Sequence, residues 1–376
     1  MLRSRKLLSR KLLSRKLLSR KLNITKQITR TNRGLSVVAR NNKPSVLTFR
    51  RKKKKGEKIT MITAYDYFSA KYAHKVGFDM ILVGDSVGMT MLGYDTTQKV
   101  TMSDMIHHTK AVRRGAPNSF VVADLPFGSF EASKERAFDN AFALIKEGGA
   151  DAVKIEGGGE ERIKTIGCLT SAGIPVMGHI GLTPQSVGTI GGFRAQGKTA
   201  KKGEAIVESA KLLQNVGGVF GIVVECVPDI VTSNITKNIN LPTIGIGAGP
   251  GSDGQVLVYH DLLGYGGLDD VPSFCKQYDN IGTRIERALS NFKADVEMET
   301  FPVKSPYKMS NQEVVRFIGN DTISFSAPPI DDTISFSAPP IDDTISFSAP
   351  PIDDTNQTCR KRTVKYLNKM SKTQIL

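Results

Sequence analysis

Short apolar segments rich in isoleucine and valine recur along the middle of the chain, and most are apolar on both faces of an extended strand. Runs of this kind are typical of strands that are buried on both sides of a parallel sheet. The pattern predicts eight strands, at Lys58–Thr63, Met80–Val83, Phe120–Ala123, Ala152–Ile155, Pro175–Gly178, Gly221–Val224, Thr243–Ile246 and Gln255–Val258.

Segments with a helical period lie between several of these strands. Lys134–Glu147 and Glu204–Asn215 each place their apolar residues on one stripe, as expected of helices that pack on a sheet. Strands that alternate with helices predict an α/β protein, and eight of them favour a (β/α)₈ TIM barrel. An open, doubly wound sheet stays the alternative, because the number of strands does not prove that the sheet closes.

Both ends of the chain are repetitive. Ser-Arg-Lys-Leu-Leu recurs with period five from Ser4 through Leu22, and an eleven-residue unit with a Pro-Pro pair recurs from Asp321. An acid-free segment rich in Arg and Ser is typical of a transit peptide, so we interpret 1–44 as a mitochondrial leader. The alternatives are a solvated low-complexity tract and a cytoplasmic protein. We predict a catalytic barrel over 45–310 and a disordered tail over 311–376.

The net charge of +16 is unevenly distributed. Residues 1–56 carry 20 Lys or Arg and no acid, and residues 356–376 carry six more and no acid. Between them, 26 basic residues face 36 acidic ones, a net charge of −10. An acidic body argues against a nucleic-acid partner. The run Lys52–Lys55 is interpreted as a solvated face, and no apolar run is long enough to span a membrane.

Acidic residues come directly after four of the predicted strands: Asp85, Asp124, Glu156 and Glu225. In a parallel barrel these positions open onto one face. A single strand-end carboxylate commonly caps the next helix, but four at one mouth repel one another unless a cation lies among them. Carboxylates without thiolates or a His triad favour a hard ion, Mg²⁺ before Zn²⁺, and a 2-oxo acid would be its bidentate ligand.

Two further residues of these strands point to the same face. Lys154 lies two positions before Glu156, and so on the same side of the strand, where it could neutralise a substrate carboxylate. A buried ammonium without such a role is costly. His179 ends the fifth strand and is either a hydrogen-bonded core histidine or a substrate contact. Gly249–Gly254 matches G-x-G-x-x-G, but an apolar strand follows it, so we interpret it as a loop between strands seven and eight.

Ten blocks in this order make the chain resemble the 3-methyl-2-oxobutanoate hydroxymethyltransferase (ketopantoate hydroxymethyltransferase) family over roughly residues 45–310. The blocks are Ile62–Asp66, Leu82–Met89, His108–Ala116, Ala123–Phe127, Val153–Gly158, Gly178–Gln185, Val224–Pro228, Ile244–Gly249, Asp253–Val258 and His260–Asp261. The two repetitive ends have no counterpart in the family.

The resemblance implies a (β/α)₈ barrel that assembles as a homo-oligomer, a decamer of two pentameric rings. It implies transfer of the one-carbon unit of 5,10-methylenetetrahydrofolate, the co-substrate, to 3-methyl-2-oxobutanoate, which gives 2-dehydropantoate for pantothenate biosynthesis. It also implies Mg²⁺ as cofactor. The family's metal positions fall on Asp85, Asp124 and Glu156, its substrate contacts on Asp85, Ser86, Asp124 and Lys154, and its proton acceptor on Glu225.

Two other functions stay open at this point. The first is a related Mg²⁺-dependent barrel lyase, which would cleave a carbon–carbon bond of a 2-oxo acid. The second is a catalytically inactive scaffold whose ends bind partners. The four strand-end acids argue against the scaffold, because nothing would keep mutually repelling carboxylates together without a cation.

Overall fold

A computed structural model describes residues 43–215, 218–266 and 271–319. Almost all of the predicted leader and all of the eleven-residue repeats lie outside these residues. The chain divides into two compact units, a first that extends to Val303 and a second that begins at Lys304.

Eight parallel strands form a closed barrel in chain order. Closure follows from β1, whose Met61 pairs with Met80 of one neighbour and with Val256 of the last strand. The TIM barrel is therefore confirmed, and the open sheet is wrong. The strands are β1 (Ile59–Thr63), β2 (Met80–Val83), β3 (Phe120–Asp124), β4 (Ala152–Glu156), β5 (Val176–Gly181), β6 (Gly221–Glu225), β7 (Thr243–Ile246) and β8 (Gly254–Leu257).

Helices connect most of the strands, and both predicted helices are present. The described helices are α1 (Val46–Lys55), α2 (Tyr67–Val76), α3 (Val87–Thr90), α4 (Met102–Gly115), α5 (Lys134–Lys146), α6 (Glu160–Ser171), α7 (Val187–Ile190), α8 (Ala200–Asn215), α9 (Asp229–Asn238), α10 (Tyr259–Leu263), α11 (Ile281–Glu297) and α12 (Asn311–Ile318). Short 3₁₀ turns occupy Thr97–Lys99 and Pro184–Ser186. No described helix is long and apolar enough to cross a membrane.

The connection between β7 and β8 contains the glycine-rich motif. Residues 247–253, all of them described, form turns and no helix. The interpretation of Gly249–Gly254 as an inter-strand loop is therefore confirmed up to Asp253, and Gly254 is the first residue of β8. A nucleotide-binding version of this motif requires a helix directly after it.

Helix α1 closes the amino-terminal end of the barrel. Phe49 is fully buried, with its ring centroid 5.0 Å from that of Phe120 and 6.3 Å from that of Phe220. The cluster around it fills the barrel below the strand ends with apolar side chains, among them Ile59, Met61, Met80, Val122, Met177 and Ile244. Aromatic packing of this kind adds stability beyond the buried area.

The lysine run at the end of α1 differs from its interpretation as a solvated face. Lys52 Nζ lies 2.6 Å from Asp79 Oδ2, and Lys53 Nζ lies 2.7 Å from Asp253 Oδ2. Both pairs are largely shielded from solvent. These two lysines therefore tie α1 to the strands above it, which the composition of the run did not show.

The predicted tail does not begin as an irregular segment. Helix α12 lies within 311–376, and the Oγ of Ser310 accepts a hydrogen bond from the backbone N–H of Glu313 at 3.4 Å. A cap residue of this type satisfies one of the free N–H groups at a helix start. Residues 311–318 carry no proline and have four apolar side chains. The prolines that forbid a helix occur only in the repeats from Asp321 onward, so they do not prevent a helix here.

Truncation of Phe49 tests whether α1 closes the amino-terminal end of the barrel. Phe49→Ala should lower the free energy of unfolding by about 3–5 kcal/mol, the usual cost of truncating a buried phenylalanine. Leu47→Ala, at a largely exposed position of the same helix, should change it by less than about 0.5 kcal/mol. Equilibrium denaturation measures both; a loss for Phe49→Ala as small as that of the control would show that α1 does not close the barrel.

Candidate active site

The polar residues of β3, β4 and β5 point into the barrel at the carboxyl ends of the strands. Asp124 pairs in register with Lys154, and Glu156 pairs with His179. Residues two positions apart face the same side of a strand, so Lys154 and Glu156 share the interior as predicted. All four side chains, with that of Asp85, are buried.

Lys154 lies at the centre of these buried side chains, and the space that they enclose is called the chamber below. Its Nζ is 3.1 Å from Asp124 Oδ2, 4.0 Å from Glu156 Oε1 and 3.4 Å from His179 Nδ1. Burial opposes the charged ammonium, but the carboxylates of Asp124, Glu156 and Asp85 outweigh it and raise the pKa of Lys154. The side chain is therefore a fixed positive charge at neutral pH.

His179 lies between two of the acids. Its Nδ1 is 3.3 Å from Glu156 Oε1, and its Nε2 is 3.1 Å from Glu225 Oε2. The second approach lacks hydrogen-bond geometry, and this buried Nε2 has no hydrogen-bond partner among the described residues. Burial and Lys154 favour the neutral ring, but Glu156 and Glu225 outweigh them and raise the pKa of His179 to about 9. Its role as a substrate contact stays a prediction.

The positive charges near Asp85, Asp124 and Glu156 do not fully compensate these three buried acids. Burial and the neighbouring charges of Glu156 and Asp124 raise the pKa of Asp85 well above its ordinary value. Burial also raises the pKa of Asp124, although Lys154 opposes the shift. Glu156 differs, because His179 and Lys154 outweigh its burial and lower its pKa. A further cation would relieve Asp85 and Asp124 of this penalty.

These acids have the donor chemistry for a divalent ion. Asp124 Oδ1 is buried without a hydrogen-bond partner among the described residues, and carboxylate oxygens are the ligands that Mg²⁺ prefers. Within the same described part of the chain, no three Asp, Glu, His or Cys side chains already converge closely enough to hold an ion. The structure therefore contains donors that fit the ion, in an arrangement that is not yet a coordination site.

The pattern of polar residues after strands did not identify two residues of this site, Tyr65 and Gln185. Tyr65 is fully buried, and its hydroxyl lies 2.8 Å from Ser86 Oγ; burial raises its pKa to about 12, so it stays protonated. Gln185 donates hydrogen bonds to both Asp85 and Glu156. Both residues occur in blocks that match the family, which was the only signal in the sequence that pointed to them.

The backbone around Glu225 leaves no room for a side chain opposite it. Gly181 has φ +96°, and a Cβ there would lie 2.2 Å from the carbonyl oxygen of Glu225. That carbonyl accepts a hydrogen bond from Leu182 N–H at 2.8 Å, and Cys226 follows with φ 49°. Glycine supplies the required left-handed conformation without strain. The close approach of Gly181 and the hydrogen bond from Leu182 therefore hold the backbone of Glu225 at the end of β6.

Comparison with known proteins places this geometry in a family. A family model described as ketopantoate hydroxymethyltransferase matches residues 43–304. The chain belongs to the ketopantoate hydroxymethyltransferase family. It is 52% identical over 272 residues to the 3-methyl-2-oxobutanoate hydroxymethyltransferase of Geobacillus sp. (strain WCH70), a match that covers 72% of this chain and 96% of the relative.

A second member of the family gives the same result. The 3-methyl-2-oxobutanoate hydroxymethyltransferase of Bacillus cereus (strain AH187) is 50% identical over 272 residues, which covers 72% of this chain and 97% of the relative. Among solved structures, phosphoenolpyruvate phosphomutase from Streptomyces platensis subsp. rosaceus is 12% identical with a TM-score of 0.46, over 73% of this chain and 94% of that one. That likeness is too low to bear on function.

Removal of the central cation tests the charge balance of the chamber. Lys154→Met should destabilise the protein by about 3–5 kcal/mol at neutral pH, because Asp124 loses its ion-pair partner and Asp85 and Glu156 lose a neighbouring positive charge. Carboxylates whose pKa is raised by folding oppose folding once they are ionised. The loss should therefore shrink as the pH falls through the folded pKa values of Asp85 and Asp124.

Denaturation at several pH values measures this effect, and Lys164→Met is the matched control. Lys164 pairs with Glu160 and Glu161 on an exposed helix face, where an ion pair contributes less than about 1 kcal/mol. A pH-independent loss for Lys154→Met, or one equal to that of Lys164→Met, would contradict the charge balance described here.

Proposed function

We propose that this chain is a 3-methyl-2-oxobutanoate hydroxymethyltransferase, which transfers the one-carbon unit of 5,10-methylenetetrahydrofolate to its 2-oxo acid in pantothenate biosynthesis. One observation carries the proposal: Lys154, three buried acids and Glu225 meet at the carboxyl ends of the barrel strands, inside the segment that the family matches. In barrels of this type that face is where active sites lie.

The chamber supplies complementary charges for a 2-oxo acid. Lys154 is positioned to neutralise the substrate carboxylate, and Asp85, Ser86 and Asp124 complete the binding site that the family resemblance implies. Asp85, Asp124 and Glu156 would hold Mg²⁺, which when bound polarises the 2-oxo group and makes the neighbouring C3–H more acidic. The proposal accounts for buried carboxylates that the protein's own cations do not fully neutralise.

Glu225 is the proposed general base. Its carboxylate receives the C3 proton, while the hydrogen bond from Leu182 to its backbone carbonyl keeps the residue in place. The resulting enolate carbon attacks the iminium carbon of the folate and forms the new carbon–carbon bond. Water supplies the hydroxyl of the added group as the carbon–nitrogen bond to the folate breaks, so that 2-dehydropantoate and tetrahydrofolate leave.

Proton exchange at C3 tests the first step without the folate. In D₂O, the Mg²⁺-loaded protein should exchange the C3 proton of 3-methyl-2-oxobutanoate, and the rate should fall when Mg²⁺ is withheld. Glu225→Gln should slow this exchange by a factor of about 10² to 10⁴, the usual contribution of a general base. NMR of the substrate follows the loss of the C3 proton signal directly.

Glu160→Gln is the control, because its side chain is largely exposed on α6; it should exchange at the wild-type rate. A folded, metal-loaded wild type that exchanges no faster than buffer would overturn the proposal. Exchange that is never followed by folate-dependent product would instead favour the barrel lyase.

We also propose that residues 1–44 direct the protein to mitochondria. The family match begins at residue 43, so the acid-free basic leader is an addition to the catalytic segment, and its composition fits an import signal. Assembly into a decamer, which the family resemblance implies, stays a prediction as well.

A reporter fusion tests the leader. Residues 1–44 fused to a fluorescent protein should bring it into the mitochondria of a yeast or mammalian cell. The same fusion with every Arg and Lys of the leader replaced by Gln should remain in the cytosol, because import depends on positive charge. Equal cytosolic fluorescence from both fusions would reject the targeting role.

A further inference from the structure

Gln185 is a buried residue that joins two of the proposed metal ligands. It lies in the 3₁₀ turn Pro184–Ser186, which begins three residues after the end of β5, and is only 3% exposed. Its backbone N–H donates to Glu156 Oε2 at 3.0 Å, and its side-chain Nε2 donates to Asp85 Oδ2 at 2.8 Å. Gln185 therefore links the two acids by one hydrogen bond to each.

The orientation of the Gln185 amide is fixed by its partners. Nε2 also donates to the backbone carbonyl of Leu125 at 2.9 Å. Since a carboxylate and a carbonyl are both acceptors, only the NH₂ group of the amide can face them. Oε1 must then point elsewhere, and it is a buried acceptor without a hydrogen-bond partner among the described residues.

A buried acceptor of this kind points to a missing donor. Buried polar atoms in proteins are almost always hydrogen-bonded, and an exception calls for a ligand or a water. Both donors of the amide are already used on Asp85 and Leu125, so Oε1 is left as an acceptor for a hydrogen-bond donor or a cation. A hydroxyl or a water molecule that enters the chamber is the chemical class that fits.

The turn that carries Gln185 is itself held in place. Gln98, in the 3₁₀ turn Thr97–Lys99 after β2, donates from Nε2 to the backbone carbonyl of Gln185 at 2.8 Å. Both backbone groups of Gln185 are thus paired, one with Gln98 and one with Glu156. The backbone of Gln185 is therefore held in place, so its side chain can orient Asp85.

We infer that Gln185 is a positioning residue for the divalent cation: it holds Asp85 and Glu156 by one oxygen each. The other oxygen of Asp85 is then left for the ion, and that of Glu156 is shared between the ion and His179. The inference rests on the proposed function, because it requires that these acids bind a metal. Donors that orient a ligating carboxylate typically contribute a factor of about 10 to 100 in metal affinity. Gln185 lies in a turn and not at a strand end, so the pattern of acids after strands does not identify it.

The affinity of the folded protein for Mn²⁺ tests the inference, with the free ion followed by electron paramagnetic resonance. Gln185→Met keeps the length of the side chain and removes its hydrogen bonds to Asp85 and Leu125, while the backbone N–H still donates to Glu156. Because Asp85 loses its orienting donor, the dissociation constant for Mn²⁺ should rise by a factor of about 10 to 100. Gln98→Met, which frees the turn and leaves the amide of Gln185 intact, should raise it by a smaller factor.

Gln255→Met is the matched control, because Gln255 is an exposed glutamine on β8 whose amide donates to Gly249 and Ser252. The dissociation constant of this variant for Mn²⁺ should equal that of the wild type. C3 proton exchange supplies a second readout. In Gln185→Met the Mn²⁺ concentration for half-maximal exchange should rise, while the rate at saturating Mn²⁺ should stay close to the wild-type rate.

Three outcomes separate this inference from the proposed function. Wild-type protein that binds no Mn²⁺ would overturn both. Wild-type binding with an unchanged dissociation constant in Gln185→Met would overturn the role of Gln185 alone. If Gln185→Met does not fold, as judged by circular dichroism, the Gln98→Met variant decides: unchanged Mn²⁺ affinity there overturns the inference, and weakened affinity supports it.

Discussion

Three carboxylates are buried beside two cationic side chains at the carboxyl ends of the strands, and the rest of the site depends on that imbalance. Ionised acids in a low-dielectric interior repel one another, so burial raises the pKa of Asp85 and Asp124. Lys154 and His179 stay positive for the same reason, because the acids around them favour the charged form. A divalent cation would complete the balance with the ligand type that it prefers.

The barrel separates this charged end from an apolar one. Side chains that face the interior alternate with those that face the helices, and below the strand ends the interior is filled by an aromatic and aliphatic cluster under α1. This packing excludes water from below the chamber, which strengthens every electrostatic interaction above it. Stability and chemistry therefore lie at opposite ends of the same eight strands.

The catalytic segment and the repetitive ends are distinct in composition and in family membership. The family match ends at residue 304, and the first compact unit ends at Val303. The buried site thus lies within the part of the chain that resembles known enzymes. The basic leader and the Pro-Pro repeats lie outside the segment that the family model matches.

Much of this arrangement follows from local sequence. The eight strands are continuous apolar runs, and the strand period of two places Lys154 and Glu156 on one face without knowledge of the fold. Acids directly after strands also identify the carboxyl-end mouth, because every parallel strand of a barrel ends there. Those signals lie within a few residues of one another, which is why the sequence alone contains them.

Closure of the sheet and the partners of each side chain depend on tertiary structure. Asp85 and Gln185 are 100 positions apart, and the strand register and the turn after β5 bring them into contact. The position of His179 between Glu156 and Glu225 depends on the order of three strands around the barrel. Hydrophobic periodicity reports which face of a strand is buried, but it contains no information about which distant residue lies opposite, since that is decided only when the strands pair.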